Sequence, residues 1–346
     1  MFLRNYWYVA ALSEEVGDRP LGRTILGQPV VLFRDSRRRI AALEDRCAHR
    51  LMPLSQGWVT GDILVCCYHG VAYDGTGACA RVPARDTPIP GMRVRAFPTV
   101  ERYGAIWIWI GDADRADASE IPECARLDPE GRDGSRIYLY VKANYMFIND
   151  NLCDLLHIAY LHNADRRSEA AIGADGMELG ALDVGETDGR IHANWTWHNI
   201  PPPPRWRQLG NIKGMADGWV LSSFVPPSFF VNPTGFADAG TGGPESTVPQ
   251  GAGQFSFTLY QCITPETERS THFFKLMAHR WDPAMAENGV ELIRTVNAED
   301  IWAMELQQES IDRDPTARTH PIPTDGGVVR MHRVIDELIS KEKAAG

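Results

Sequence analysis

At 346 residues the chain is longer than one small core accommodates, so two domains are expected, each burying a sizeable core. With 44% hydrophobic and 23% charged residues it has the composition of an ordinary globular protein. Its formal net charge of −10, with no basic stripe, argues against non-specific nucleic-acid binding and is compatible with docking a basic partner.

The first residues, Met1-Phe2-Leu3-Arg4-Asn5-Tyr6-Trp7, lack the basic and long apolar regions of a signal peptide, and no apolar run approaches membrane-spanning length. A cytoplasmic location without membrane contact is therefore expected. Seven cysteines, with Cys66 beside Cys67, read poorly as a disulfide framework and better as reduced thiols, some of them metal ligands.

From Tyr6 onward short β-branched and aromatic segments alternate with Gly, Pro and Asp. Thr24 to Phe33, Arg39 to Glu44, Ile63 to Cys66 and Ala105 to Ile110 read as strands, separated by turn signals such as Gly27-Gln28-Pro29 and Asp74-Gly75-Thr76-Gly77. That pattern suits a small antiparallel sandwich or barrel, with the doubly apolar Ala105-Ile106-Trp107-Ile108-Trp109-Ile110 as a central strand.

Two loops of this region carry a metal signal. Cys47-Ala48-His49 is followed after sixteen residues by Cys66-Cys67-Tyr68-His69. Two Cys and two His can hold zinc or a [2Fe–2S] centre; structural zinc sites usually begin with two closely spaced cysteines. Here each loop offers one Cys and one His, so one iron can take both thiolates and the other both imidazoles, as in Rieske centres. Cys67 and Cys79 are alternative thiols, but only Cys66 leaves two residues before His69. A centre of this kind has a potential of roughly −150 to +300 mV and relays single electrons from a reduced flavin or ferredoxin.

Polar, breaker-rich sequence from 112 to 130 marks a linker, giving domains 1–118 and 119–346. Arg136 to Ala143 then alternates as a strand and leads into Asn149-Asp150-Asn151-Leu152-Cys153-Asp154-Leu155-Leu156-His157-Ile158-Ala159-Tyr160-Leu161-His162. Ionisable groups in this apolar setting need a partner or a metal. On a helix Asp154 and His157 share a face, whereas His157 and His162 stand about 140° apart unless a π-bulge or a helix end lies between them. By itself the stretch reads equally as a core helix with two satisfied histidines.

Segments around Ile191 to Trp197, Trp219 to Val225, Gln254 to Ile263 and Thr271 to His279 read as further strands, and C-terminal helices follow, so the second domain is an α+β unit on an antiparallel sheet. The Gly/Pro-rich Asn232 to Gly253 reads as a mobile rim over a pocket or as a solvent loop. In Glu291 to Gln308 the apolar stripe Ile293, Val296, Met304 includes Asp300, which must be paired or metal-bound, while Glu299 falls on the solvated face. Trp195, Trp197, Phe224, Phe229 and Phe230 offer walls for an aromatic ring or ordinary core. His198, Arg207 and Asn232 are candidates to meet a carboxylate or sulfonate, or are surface and structural residues.

Taken together, Cys-x-His and Cys-x-x-His-Gly, the Asp-x-x-His-x-x-x-x-His stretch and a late helix with Asp300 resemble the Rieske non-haem iron oxygenases over nearly the whole chain. Arg4-Asn5-Tyr6-Trp7-Tyr8-Val9-Ala10-Ala11, Pro20-Leu21-Gly22-Arg23 and Val100-Glu101-Arg102-Tyr103 are similar to the oxygenase subunits of vanillate and dicamba O-demethylases. Thr264-Pro265-Glu266-Thr267-Glu268 and the Gly240 to Glu245 loop resemble toluenesulfonate methyl-monooxygenase.

The resemblance implies an all-β Rieske [2Fe–2S] domain, its cluster on Cys47, His49, Cys66 and His69, followed by a helix-grip, START-like catalytic domain. It implies that His157, His162 and Asp300 hold a mononuclear Fe(II) with open positions, and that Asn151 lies near the iron. Asp154 is implied to bond His157 and the His69 of an adjacent subunit in a homotrimer, passing electrons between chains. A separate ferredoxin- or flavin-type reductase, fed by NAD(P)H, is the implied electron donor. O₂ and a small aromatic acid are the implied substrates, the acid being O-demethylated or hydroxylated at a methyl group, with Asn232, Trp197 and Phe230 as pocket candidates. The rival expectations are a ring cis-dihydroxylating dioxygenase and, in a different class, a Rieske electron carrier fused to a ligand-binding domain.

Overall fold

The computed structural model describes residues 1–83, 85, 87–163, 169, 172–173, 177–187 and 190–345. They form two compact units. The first comprises Met1–Cys124, Asp128–Arg132 and Thr264–Glu268; the second comprises Ala125–Leu127, Asp133–Ile263 and Arg269–Gly346.

The first unit is built of β1 (Trp7–Leu12), β2 (Leu21–Ile25), β3 (Gln28–Arg34), β4 (Ile40–Glu44), β5 (Trp58–Thr60), β6 (Ile63–Val65), β7 (Ala72–Asp74), β8 (Cys79–Arg81), β9 (Ala96–Phe97), β10 (Thr99–Arg102) and β11 (Ala105–Trp109). They make three antiparallel sheets in the orders β1-β11-β10, β2-β3-β4-β9 and β5-β6-β7-β8. As its two-sided apolar sequence predicts, β11 is central, with every residue buried. The single strand expected over Thr24 to Phe33 is a hairpin, because Leu26 and Gly27 turn the chain at φ 51° and 74°. That turn is held by Thr264–Glu268, whose Pro265 and Glu266 carbonyls accept from the Leu26 and Gly27 amides at 2.8 and 2.9 Å. This short segment, remote in sequence, therefore belongs to the first unit.

The second unit has β12 (Ser135–Val141), α1 (Tyr145–Cys153), β13 (Ala181–Thr187), β14 (Arg190–Ile200), α2 (Pro204–Gly210), β15 (Ala216–Val225), β16 (Phe229–Asp238), β17 (Gln254–Thr267, whose residues from Thr264 on count with the first unit), β18 (Ser270–Ala278), α3 (Pro283–Arg313) and α4 (Gly326–Ala345). Its strands form one antiparallel sheet ordered β12-β18-β17-β16-β15-β14-β13. Residues of α2 and α3, including Trp206, Leu292 and Ile293, close the core with Trp195, Trp197, Phe236, Phe255 and Phe257 from the sheet. No helix of the described residues is long and apolar enough to cross a membrane.

Two features of this unit differ from the sequence expectation. Asn232 to Asp238 is not loop but the second half of β16, which carries Pro233 and Gly235 inside a regular ladder with β17. Gly235 is needed there, since a Cβ would come within 2.3 Å of the Trp219 ring. Only 239–253 connects, tied back by Ala239 to the Met215 carbonyl and Gly253 to the Gly210 carbonyl at 3.0 and 2.8 Å. The helix expected over Glu291 to Gln308 extends from Pro283 to Arg313: the Asp282 carboxylate accepts from the Met285 amide at 2.8 Å to start it, and Pro283 suits its first turn.

Candidate active site

In the first unit two loops face each other with the same local geometry. The Cys47 carbonyl accepts from the Leu51 amide at 2.8 Å and the Cys66 carbonyl from the Gly70 amide at 2.9 Å, with Leu51 and Gly70 both at positive φ (60° and 72°). Each loop thus presents one thiol and, two or three residues on, one imidazole. Cys47 and Cys66 are buried and their sulfurs interact, while the His49 and His69 rings meet at 4.7 Å between centroids. Burial raises the Cys66 thiol pKa and the neighbouring Cys47 adds to this, against the Tyr68 and His69 amides that donate to the sulfur. The Tyr73 hydroxyl lies 3.3 Å from the Cys47 sulfur and accepts from the Ala48 amide at 3.0 Å. A thiol pair beside an imidazole pair is the donor set of a [2Fe–2S] centre with different ligands on its two irons. Cys67 is exposed, and the Cys79 thiol turns to the Arg81 carbonyl at 3.7 Å.

In the second unit the stretch that holds the two histidines is not one helix. α1 is capped by Asn144, whose side chain accepts from the Met146 amide at 3.0 Å, and ends at Cys153. Asp154 is extended (φ −93°, ψ 98°), and its carboxylate accepts from the Leu156 amide at 3.0 Å, opening a 3₁₀ turn over Leu156–Ala159. Asp154 and His157 therefore do not share a helix face. A short side chain that caps its own downstream backbone ends the helix here, and the resulting break brings His157 and His162 to one side, their rings 5.3 Å apart.

Asp300, on the buried stripe of α3, completes the group: one ligand atom each from His157, His162 and Asp300 lies within 4.8 Å of the others. Asp300 Oδ1 is 3.1 Å from His162 Nε2 and 3.5 Å from His157 Nε2. The opposite ring nitrogens are already engaged. His157 Nδ1 meets the Asp154 main-chain carbonyl, and His162 Nδ1 lies 2.7 Å from Glu299 Oε2. Both imidazoles consequently aim Nε2 at the same point, the second-partner arrangement that orients metal-binding histidines. Asn151 Nδ2 donates to Asp300 Oδ1 at 3.2 Å and lies 3.5 Å from His157 Nε2.

The electrostatics are those of a site that concentrates charge on two groups. Burial disfavours ionisation of Asp300, yet the charge and hydrogen bond of His162, with His157 and Lys275 beyond, bring its carboxyl down to about 2. Burial likewise opposes protonation of His162, but Asp300 and then Glu299 outweigh it and raise its pKa to about 9. For His157 burial dominates and the pKa is lowered. Two imidazole nitrogens and a carboxylate converging in a buried setting fit a divalent iron, whose binding would displace the proton held by His162.

The group opens onto a cavity of about 100 Å³, walled by Trp206, Phe236 and Phe257 with Leu155, Val220, Leu259 and Leu292. Its lining, apolar and aromatic with a few convergent polar groups, is that of a small-molecule site. Asn232 lines it, as the sequence suggests. Trp197 and Phe230 do not: Trp197 stacks behind Phe236 at 5.9 Å and donates to the Met177 carbonyl at 2.6 Å, and Phe230 packs on Phe224 at 5.1 Å, farther along β16. His198 is exposed beside Asp217, and Arg207 is spent on the Lys213 and Gly214 carbonyls at 3.4 Å. Glu299, expected in solvent, holds His162 and accepts from the Glu169 amide at 2.8 Å.

Sequence reasoning missed Trp206, Gln261 and Lys275, all of which line the cavity. Lys275 carried a readable signal, a lysine inside Phe273-Phe274-Lys275-Leu276-Met277. Burial pushes its ammonium down to about 7, and the Asp300 charge resists that shift.

Two family models match the chain: the Rieske [2Fe-2S] domain over residues 6–100 and the vanillate O-demethylase oxygenase C-terminal domain over residues 141–341. The chain is 35% identical over 352 residues to a putative toluene-4-sulfonate monooxygenase iron-sulfur subunit of Comamonas testosteroni, covering 99% of this chain and 98% of that protein. It is 38% identical over 357 residues to the oxygenase component of dicamba O-demethylase from Stenotrophomonas maltophilia, covering 99% of each. Among solved structures, dicamba monooxygenase bound to dicamba superposes with a TM-score of 0.85 at 31% identity over 99% of both chains. The same enzyme with non-heme iron and dicamba gives 0.78 at 30% identity over 100% of this chain and 99% of the other.

Proposed function

The chain belongs to the Rieske non-haem iron oxygenases, as an oxygenase subunit of the vanillate O-demethylase type, and from that premise we propose that it O-demethylates or hydroxylates a small aromatic acid. The carrying observation is that the convergent His157, His162 and Asp300 open directly onto a largely apolar cavity lined by aromatic side chains.

In this reading Cys47, Cys66, His49 and His69 hold the [2Fe–2S] cluster, and His157, His162 and Asp300 hold Fe(II). The cluster supplies electrons one at a time and the iron supplies O₂ activation, chemistry that belongs to the cofactors. The polypeptide provides the rest. Glu299 and the Asp154 carbonyl fix the two imidazoles, and Asn151 donates to the ligand carboxylate. Trp206, Phe236 and Phe257 offer the ring an apolar face in the same cavity as the triad. Overall one atom of O₂ enters a C–H bond and the other leaves as water, with two electrons and two protons consumed. Insertion at a methoxy carbon gives a hemiacetal that breaks to a phenol and formaldehyde; insertion at an aryl methyl gives a benzylic alcohol.

The electrons come from NAD(P)H through a separate flavin- or ferredoxin-type reductase, and the working unit is a homotrimer in which Asp154 links His157 to His69 of a neighbouring chain. The carboxylate suits that role, since one oxygen accepts from Leu156 and among the described residues the other makes no hydrogen bond. A screen of methoxy- and methyl-substituted aromatic acids with a compatible reductase, scored by product mass, tests the assignment. A phenol with formaldehyde, or a benzylic alcohol, is expected. A cis-diol in their place overturns the monooxygenase reading.

A further inference from the structure

Beyond the residues assigned to iron, the cavity wall holds one more ionisable side chain among the described residues, in a place where an apolar residue would be cheaper. Lys275 is the sixth residue of β18, a strand in which every position is buried. Its Nζ donates to Gln261 Oε1 at 2.6 Å and lies 4.5 Å above the Phe273 ring. Gln261 Nε2 in turn donates to Asn232 Oδ1 at 2.6 Å, and Asn232 Nδ2 to the Leu221 carbonyl at 3.4 Å. The three side chains stand on adjacent strands β18, β17 and β16, each at most 4% exposed, and all three line the cavity.

This row has a direction. The bond to Leu221 fixes the Asn232 amide, which fixes the Gln261 amide, which leaves an oxygen facing the ammonium. An ammonium has three donors, and among the described residues one is used by Gln261 and no carboxylate pairs with it. Asp300, whose charge reaches Lys275, is committed to the triad. A buried charge with unused donors in a largely apolar cavity is a poor structural element, because an apolar side chain of similar length would do as well or better for stability. It is a good element for a ligand that brings the missing charge.

We propose that Lys275, held by Gln261 and Asn232, anchors the acid group of the substrate: a singly charged oxyanion on the ring, carboxylate or sulfonate, takes the free donors of the ammonium while the ring lies on the apolar wall toward the triad. This deepens, and rests on, the reading of the chain as an aromatic-acid oxygenase. It adds which residue recognises the acid, and it makes charge rather than ring size the first criterion of selection. A neutral ring of the same shape leaves the ammonium without its partner and is rejected, as sites built around a buried polar group reject analogues that lack the matching group.

The test is calorimetric binding of benzoate, 4-methylbenzenesulfonate and neutral benzamide to the cluster- and iron-loaded protein, wild type against Lys275→Met and Lys275→Gln, with unfolding midpoints measured alongside. In both variants affinity for the two anions is expected to fall about 10–100-fold, the loss of one charge-assisted hydrogen-bonded contact. Benzamide, which the wild type binds weakly, is expected to bind the variants no more weakly, whereas loss of a merely structural lysine would weaken all three ligands together; the unfolding midpoints should fall by no more than the loss of the one hydrogen bond to Gln261 allows. If Lys275→Met does not fold, Lys275→Gln carries the same comparison. Wild-type anion affinity in the variants overturns the anchor and leaves the aromatic-acid reading intact. A wild-type protein that binds benzamide but neither anion overturns the acid substrate itself, and the anchor with it.

Discussion

Glu299 grips His162 across 2.7 Å from the ring nitrogen opposite the one that faces Asp300, so two consecutive residues of α3 hold both sides of one imidazole. The consecutive placement works because Asp300 lies on the buried stripe while Glu299, one position back, rides its edge with its side chain 17% exposed. Glu299→Ala should therefore lower iron affinity about 10–100-fold, as loss of a partner behind a metal-binding histidine typically does. The cluster absorption should not change. Glu299→Gln, which keeps an acceptor for the Nδ1 proton, should recover part of the loss. Chelator competition reads this directly, and wild-type iron retention in Glu299→Ala would show that the carboxylate is idle.

Asp300→Ala tests the triad itself. The variant should keep the Rieske spectrum, since the thiols and imidazoles of the first unit are untouched, and lose both mononuclear iron and product. Metal content by mass spectrometry and turnover of an accepted acid are the measurements. Full turnover without Asp300 would remove it from the ligand set.

Asp154→Asn asks whether the residue that ends α1 also carries electrons. The amide oxygen can still accept from Leu156, so the break between α1 and the 3₁₀ turn should persist and both metal centres should load. What should fail is electron transfer from a pre-reduced cluster, seen as sharply slower cluster oxidation in a single turnover. Unaltered single-turnover rates would refute the bridge.

Much of the molecule is legible in the sequence, for physical reasons that also mark where legibility ends. The paired Cys/His loops can be read because a mixed thiolate and imidazole set is costly to keep without a metal. Asp300 can be read because a carboxylate on an apolar helical stripe demands a partner. Glu299 escapes, since helical periodicity reports which face is buried and not which edge residue bends inward. Asp154 reads as a mid-helix residue, whereas the helix end depends on its own side chain capping Leu156. The pocket is least readable. Trp197 and Phe236 both face the same core, and which of them meets the cavity depends on β14 lying beyond β15 and β16 in the sheet, information held in pairings rather than in any one segment.

The cavity wall gives a last prediction, about size. Trp206 is 3% exposed, stacks on Phe257 at 5.7 Å and leans on Phe236 and Phe255, each at 5.2 Å. Its indole nitrogen is buried without a hydrogen-bond partner among the described residues. Trp206→Phe therefore removes ring volume and an unpaired donor together, and should change stability by no more than about 1 kcal/mol while widening the cavity. Trp206→Ala leaves a void and should cost about 3–5 kcal/mol. Both variants should shift preference toward bulkier ring acids, visible as a lower KM for these relative to a single unsubstituted ring and unchanged iron content. Urea unfolding and a KM series over ring size are the measurements. If KM ratios stay at the wild-type value while stability falls as stated, Trp206 belongs to the core alone and the substrate lies against another wall.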